Sequence, residues 1–171
     1  MTHVESLEGA AAHRLVPALS RLLQHVVHGG ASIGFLAPLP LENAERYWQK
    51  VLHEVHEQSR LLLAVREGDE VVGTVQLALA QPQNGRHRAE VQKLFVHPAR
   101  RGRGIAKALL AALEGHACQA GRTLLVLDTA SDDAAGLYTR SGYLRAGVIP
   151  QYARSPIGVL ESTQIFYRLL P

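Results

Sequence analysis

The stretch Glu90–Leu110, EVQKLFVHPARRGRGIAKALL, decides how the rest of this chain reads. In Glu90–Val96 the β-branched and aromatic residues Val91, Phe95 and Val96 favour a strand, and Pro98, which has no backbone N–H, ends it. From Gly104 onward Ile105, Ala108, Leu109, Ala112, Leu113 and Ala117 recur at three- and four-residue intervals, so the spacing predicts a helix with one face on a sheet. Between strand and helix stands Arg100-Arg101-Gly102-Arg103-Gly104. A helix start leaves N–H groups unpaired at the positive end of its dipole, and glycine lets an anion approach the main chain, so the loop suits a phosphate. Three arginines add charge-assisted donors, and Lys107 falls in the first turn, where a cation is unfavourable unless an anion offsets it. The plainer alternative is a solvated loop with a basic face.

Strand, loop and helix agree with the phosphate reading, but two familiar patterns fail. Counting from Gly102, the sixth position of G-x-G-x-x-G is Lys107, and no Gly-Lys-Ser/Thr follows. Arg101-Gly102-Arg103-Gly104-Ile105-Ala106 instead resembles the Q/R-x-x-G-x-G/A signature of the GNAT superfamily, the acyl-CoA-dependent N-acetyltransferases, and Leu94-Phe95-Val96 precedes it as in that family. The resemblance implies that backbone groups of Leu94, Phe95 and Val96 pair with pantetheine. It also implies that amides of Arg101, Gly102, Arg103, Gly104, Ile105 and Ala106 hold the pyrophosphate of coenzyme A.

With 171 residues, 47% of them hydrophobic, the chain is long enough for one substantial core, and it reads as a single domain over residues 1–171. The formal charge is only +3, yet Arg86, Arg88, Lys93, Arg100, Arg101, Arg103 and Lys107 fall within 22 residues beside one acid, Glu90. Nucleic-acid binding is the rival reading of that cluster. The patch lacks interleaved aromatics and sits on a glycine-rich helix start suited to a small phosphate ligand, so no nucleic-acid partner is expected. The single Cys118 excludes an intrachain disulfide and reads as a packed thiol on the far end of the helix. No apolar run approaches a membrane span, and MTHVESLEGA has no charged region leading into an apolar one, so a soluble, cytoplasmic chain is expected.

In chain order, a very short strand is expected near Thr2–Glu5. Residues 11–27 carry the stripe Leu15, Leu19, Leu22 and Val26 of one amphipathic helix, stopped by Gly29-Gly30. Leu41, Ala44, Trp48, Val51, Leu52 and Val55 space a second helix ending near Gln58. His53-Glu54-Val55-His56 has one residue too few for H-E-x-x-H, no other histidine pair has convincing ligand spacing, and no metal is expected. Leu61–Arg66 and Val71–Leu79 read as a hairpin, and Thr123–Asp128 as a strand parallel to the one before the long helix. Ser131 or Asp132 can cap a short helix over 133–141, and strands are expected at 144–149 and 163–169.

The resulting fold class is α/β, an α+β mixed sheet flanked by helices, which fits the GNAT architecture with splayed central parallel strands that bind acyl-CoA. VHGGASIGF, RAEVQKLFV, LLVLDT and the Ile149-Pro150-Gln151-Tyr152 turn further resemble the tabtoxin-resistance branch of that family, which acetylates a β-lactam amino-acid toxin. A small-molecule amine substrate, acetyl-CoA as co-substrate and a possible homodimer follow as implications of the resemblance.

Acetyl transfer to an amine needs an unprotonated nitrogen and a proton for the departing thiolate, while an alkylamine with a pKa near ~10 is mostly protonated at neutral pH. By resemblance Tyr138, in Gly136-Leu137-Tyr138, is the acid beside the coenzyme sulfur; without the coenzyme motif it reads as a core aromatic. Glu90, just ahead of the coenzyme-binding strand, is the first candidate base. Asp128, at the carboxyl end of the next strand, is the second. Either can instead position the substrate ammonium or form a strand-end ion pair. Ser131 stands where the family often carries an asparagine that contacts pantetheine. His28, Ser32, Gln92 and Tyr152 line the substrate by resemblance, with packing or loop closure as the other reading of each.

Overall fold

The computed structural model describes residues 2–171. One seven-stranded sheet runs through them in the order β1-β2-β3-β4-β5-β7-β6. Its strands are β1 (Glu5–Ser6), β2 (Arg60–Glu67), β3 (Glu70–Leu79), β4 (Arg88–Val96), β5 (Leu124–Thr129), β6 (Leu144–Arg154) and β7 (Leu160–Leu169). β4 and β5 pair in parallel and every other neighbouring pair is antiparallel. The helices are α1 (Gly9–Arg14), α2 (Val16–His28), α3 (Leu41–His56), α4 (Ile105–Gln119) and α5 (Asp132–Arg140). The expected mixed sheet flanked by helices is the observed fold.

Period-two alternation sends the strands' apolar side chains to both faces of the sheet, so there are two cores. On one face Leu63, Val75, Leu77, Val91, Leu125, Leu127 and Phe166 meet Leu109, Leu110 and Leu113 of α4 and Tyr138 of α5. On the other, Leu62, Ala64 and Phe95 meet Leu19, Leu22, Leu23 and Val26 of α2 and Trp48 and Leu52 of α3. α4 lies close against β3 because Gly73 has no side chain there: a Cβ would sit 2.9 Å from Cγ2 of Ile105 and 3.1 Å from Cδ1 of Leu109.

Several expectations are corrected. The single helix over 11–27 is two, interrupted at Leu15, because Pro17 supplies no N–H to continue the ladder and sits instead in the first turn of α2. The first strand is Glu5–Ser6 rather than Thr2–Glu5, paired with Ala64 and Leu63 of β2. Cys118 is exposed, not packed, because the buried stripe of α4 runs through Ile105, Leu109, Leu110, Leu113 and Ala117 and leaves it on the outer side. The Ile149–Tyr152 turn is a bulge inside the longer β6: the β7 register shifts between Ile149 and Ala153, and Gln151 has φ 53°. β6 ends the sheet, so the missing N–H of Pro150 is tolerated there.

Candidate active site

The parallel pairing of β4 with β5 is short. It runs Arg88↔Leu124, Ala89↔Leu125 and Glu90↔Val126 and then stops, while β4 continues to Val96 against β3 on its other side. Past Glu90 the β5-facing edge of β4 therefore carries backbone N–H and C=O groups without a strand partner, a ready template for a ligand with amides of its own. Leu94, Phe95 and Val96 lie on this edge, with Phe95 and Val96 buried against the two cores. β4 also bulges here: Gln92 and Phe95 oppose Gln76 and Thr74, so Lys93 and Leu94 face a single residue of β3, and Lys93 takes φ 52°.

Beyond β4 a 3₁₀ turn, Pro98–Arg100, leads into the loop of Arg101, Gly102, Arg103 and Gly104. Gly102 and Gly104 have φ 76° and 78°, in the left-handed region that favours glycine. Gly104 is the N-cap of α4, with no side chain bonding to the first-turn amides and no acid in that turn. The amides at Ile105 and Ala106 therefore keep their donors free for an anion. The basic cluster is smaller in effect than its sequence suggests, since Glu67 takes Arg100 at 2.6 Å and Arg103 at 3.8 Å. Arg101 and Lys107 have no ion pair among the described residues.

Glu90 and Asp128 flank the point where the strands part. Glu90 is half-buried on β4 opposite Val126, and Asp128, two residues further along β5, is exposed and accepts a hydrogen bond from the buried Thr163 hydroxyl of β7 at 2.8 Å. Tyr138 comes from α5, its ring buried between Tyr143 (centroids 5.6 Å apart) and Phe166 (6.0 Å). Burial and, second, the negative charge of Asp128 push its pKa up to about 12, so at neutral pH it holds its proton. The sequence-read Glu90, Asp128 and Tyr138 are thus brought to one end of the β4/β5 pair. Ser131 is the N-cap of α5, its hydroxyl accepting from the Ala134 amide at 3.2 Å.

Below them, on the α2/α3 face, lies a polar network that sequence reasoning missed. Arg60 of β2 ion-pairs through Nε with Glu54 at 2.6 Å, and its Nη1 donates to Oε1 of Gln76 and to Oε1 of Gln92, each at 2.8 Å. Nε2 of Gln76 donates onward to the Tyr47 hydroxyl at 3.0 Å. Phe35 stands edge-on to Tyr47, and Nζ of Lys93 lies 5.9 Å from the Phe35 ring centroid. Of the four substrate residues read from sequence, Gln92 is in this network. His28 accepts from the Leu39 amide at 3.0 Å and so fixes the loop that carries Gly34 and Phe35, while the half-buried Ser32 lies within that loop. Tyr152, half exposed, sits on β6.

Comparison with known proteins agrees with this architecture. The model of the acetyltransferase (GNAT) family matches residues 21–143. N-acetyltransferase 8B of Rattus norvegicus is 34% identical over 125 residues, 66% of this chain, and the chain spans 55% of that relative's length. The protein yncA of Salmonella typhimurium, solved with its cofactor acetyl-CoA, superposes with a TM-score of 0.79 at 19% identity, covering all of this chain and 95% of that one. A phosphinothricin acetyltransferase of Sinorhizobium meliloti, in complex with acetyl-CoA, gives 0.80 at 16% identity over 99% and 88%. With the match spanning both the parting strands and the glycine-led helix, the chain belongs to the acetyltransferase (GNAT) family.

Proposed function

We propose that the chain, as a single domain, transfers an acetyl group from acetyl-CoA to the amine of a small molecule. The observation that carries this reading is the parting of β4 from β5 past Glu90, which sets an unpaired backbone edge beside the uncapped start of α4. The edge at Leu94–Val96 suits pantetheine amides, and the first-turn amides with Arg101 suit a pyrophosphate. Ser131, with its hydroxyl proton free to donate, sits where a further pantetheine contact belongs.

Acetyl-CoA brings the acetyl group as a thioester and leaves as a thiol. Glu90 takes the proton that the amine must lose before its lone pair can attack, with Asp128 as the second candidate or as the group that holds the ammonium. Tyr138, held protonated, gives the proton that the departing sulfur needs. The transfer is direct: Cys118 lies 13 positions beyond Ile105 along α4, about 20 Å at 1.5 Å per residue.

The motif resemblance makes a tabtoxinine-type β-lactam amino acid one acceptor to test, beside other small amines. The other reading, a coenzyme A-binding module without turnover, has against it the presence of Glu90 at the strand end and of Tyr138 on α5 near Asp128. The proposal includes a cytoplasmic location; no helix among the described residues is long and apolar enough to cross a membrane. It also includes a homodimer through β6, whose residues are exposed along its whole length and include Leu144, Val148, Ile149 and Tyr152.

The test is steady-state thiol release over an amine panel that includes the β-lactam, with wild type, Tyr138→Phe and Glu90→Gln. Slow variants that still bind coenzyme A support the assignment. Variants as fast as wild type would remove both residues from the chemistry.

A further inference from the structure

The polar network on the α2/α3 face has a direction. Arginine only donates, so the two amide oxygens at Nη1 of Arg60 fix how Gln76 and Gln92 point, with their NH₂ groups turned away from it. The NH₂ of Gln76 is used by Tyr47, whereas that of Gln92 meets no acceptor among the described residues. Arg60 itself is neutralised by Glu54.

Lys93 adjoins this donor. The bulge puts it at φ 52°, a conformation that costs a non-glycine residue, and Gly34, at φ 91°, comes so close that a Cβ there would lie 3.3 Å from Nζ. Phe35 faces the ammonium, yet no carboxylate lies within ion-pair distance of it among the described residues. Burial, and after it the charge of Arg60, pull the Lys93 pKa below the ordinary lysine value; Asp128 and Glu90 act the other way. A half-buried cation and an oriented amide donor thus stand on the same face of the sheet as two carboxylates at the strand ends.

Resting on the acetyltransferase reading, we propose that Lys93 and Gln92 hold the carboxylate of an amino-acid acceptor whose amine faces Glu90 and Asp128. Amino acids, rather than simple amines, are then the substrate class. Arg60 is a positioning residue: it fixes the Gln92 amide and does not touch the acceptor.

The test pairs each of a set of L-amino acids with its carboxamide and with the amine that lacks the carboxylate, in thiol-release assays of wild type, Lys93→Gln and Lys93→Arg. The wild type should favour the best amino acid over its amine by roughly 10- to 100-fold in kcat/KM, the range of one charge-assisted contact. Lys93→Gln should collapse that preference, chiefly through KM, and Lys93→Arg should restore part of it. Equal use of amino acid and amine by the wild type, or an equal loss on both in Lys93→Gln, overturns the proposal, the latter making Lys93 a counter-ion of Glu90 and Asp128. If the wild type releases no thiol with any acceptor, the acetyltransferase reading fails instead. Calorimetric titration of the coenzyme A complex with the same set then decides: tighter binding of the amino acids, lost in Lys93→Gln, supports carboxylate recognition, and no such difference overturns it.

Discussion

Tyr138 does two things that a buried core aromatic need not do together. Its ring fills the space between Tyr143 and Phe166, and its raised pKa keeps the phenol protonated beside Asp128. Tyr138→Phe keeps the ring and removes the proton, so kcat should fall about 10²-fold or more while coenzyme A affinity, read by calorimetry, stays near wild type. Glu90→Gln and Asp128→Asn separate the base from the group that positions the amine: the base variant loses kcat, the other loses mainly KM. At this scale the sequence told an uneven story. The positions of Glu90, at a strand end, and of Tyr138, on a short capped helix, were legible from local strand and cap signals. The setting of Lys93 was not, since among seven cations nothing distinguishes the one that a bulge places beside Phe35 and Gly34. The bond from Arg60 to Gln92 spans 32 positions and leaves no local pattern. Nor does local sequence show that Glu67, far away along the chain, engages both Arg100 and Arg103 of the basic loop.

Among the elements, α4 connects fold to function, with its glycine-led start at the strand gap and its apolar face on β3. Gly104→Ala would force φ 78° on a residue with a Cβ, a strain of about 1–2 kcal/mol. Since no atom lies within 4 Å of that added Cβ, the strain falls on the loop conformation rather than on packing. Coenzyme A binding should therefore weaken by roughly tenfold, with stability lowered by no more than that strain. Gly73→Ala should behave oppositely, because its Cβ meets Ile105 and Leu109: unfolding by denaturant should show a loss of about 1–3 kcal/mol as α4 is levered off the sheet. Most elements were readable from periodicity. The break at Leu15 was missed because the apolar stripe runs through it and hides Pro17. The extent of β6 was missed because an exposed edge strand has no buried alternation to reveal it.

For the molecule as a whole, the buried tyrosines set an alkaline limit. Tyr47 and Tyr138 both have their pKa pushed from 10.0 to about 12, mainly by burial. Each holds its proton more tightly folded than unfolded, so the stability it contributes is complete below pH 10 and is lost as the pH rises through about 12. Tm should fall above pH 10, and Tyr47→Phe should blunt the fall. The outer strand gives a second whole-molecule expectation: light scattering should return a dimer, and Val148→Lys, which places a charge on the exposed apolar edge, should return a monomer. A monomeric wild type would discard the β6 interface without touching the site. The central claim, that the gap between β4 and β5 and the start of α4 together make an acetyl-transfer site, is tested most directly by following thiol release and acetylated product in the same reaction with wild-type protein. Both should appear in equal amounts and only when an amine is present. Coenzyme A binding without amine-dependent thiol release, or acetyl groups lodged on Cys118 as a competent intermediate, would contradict it.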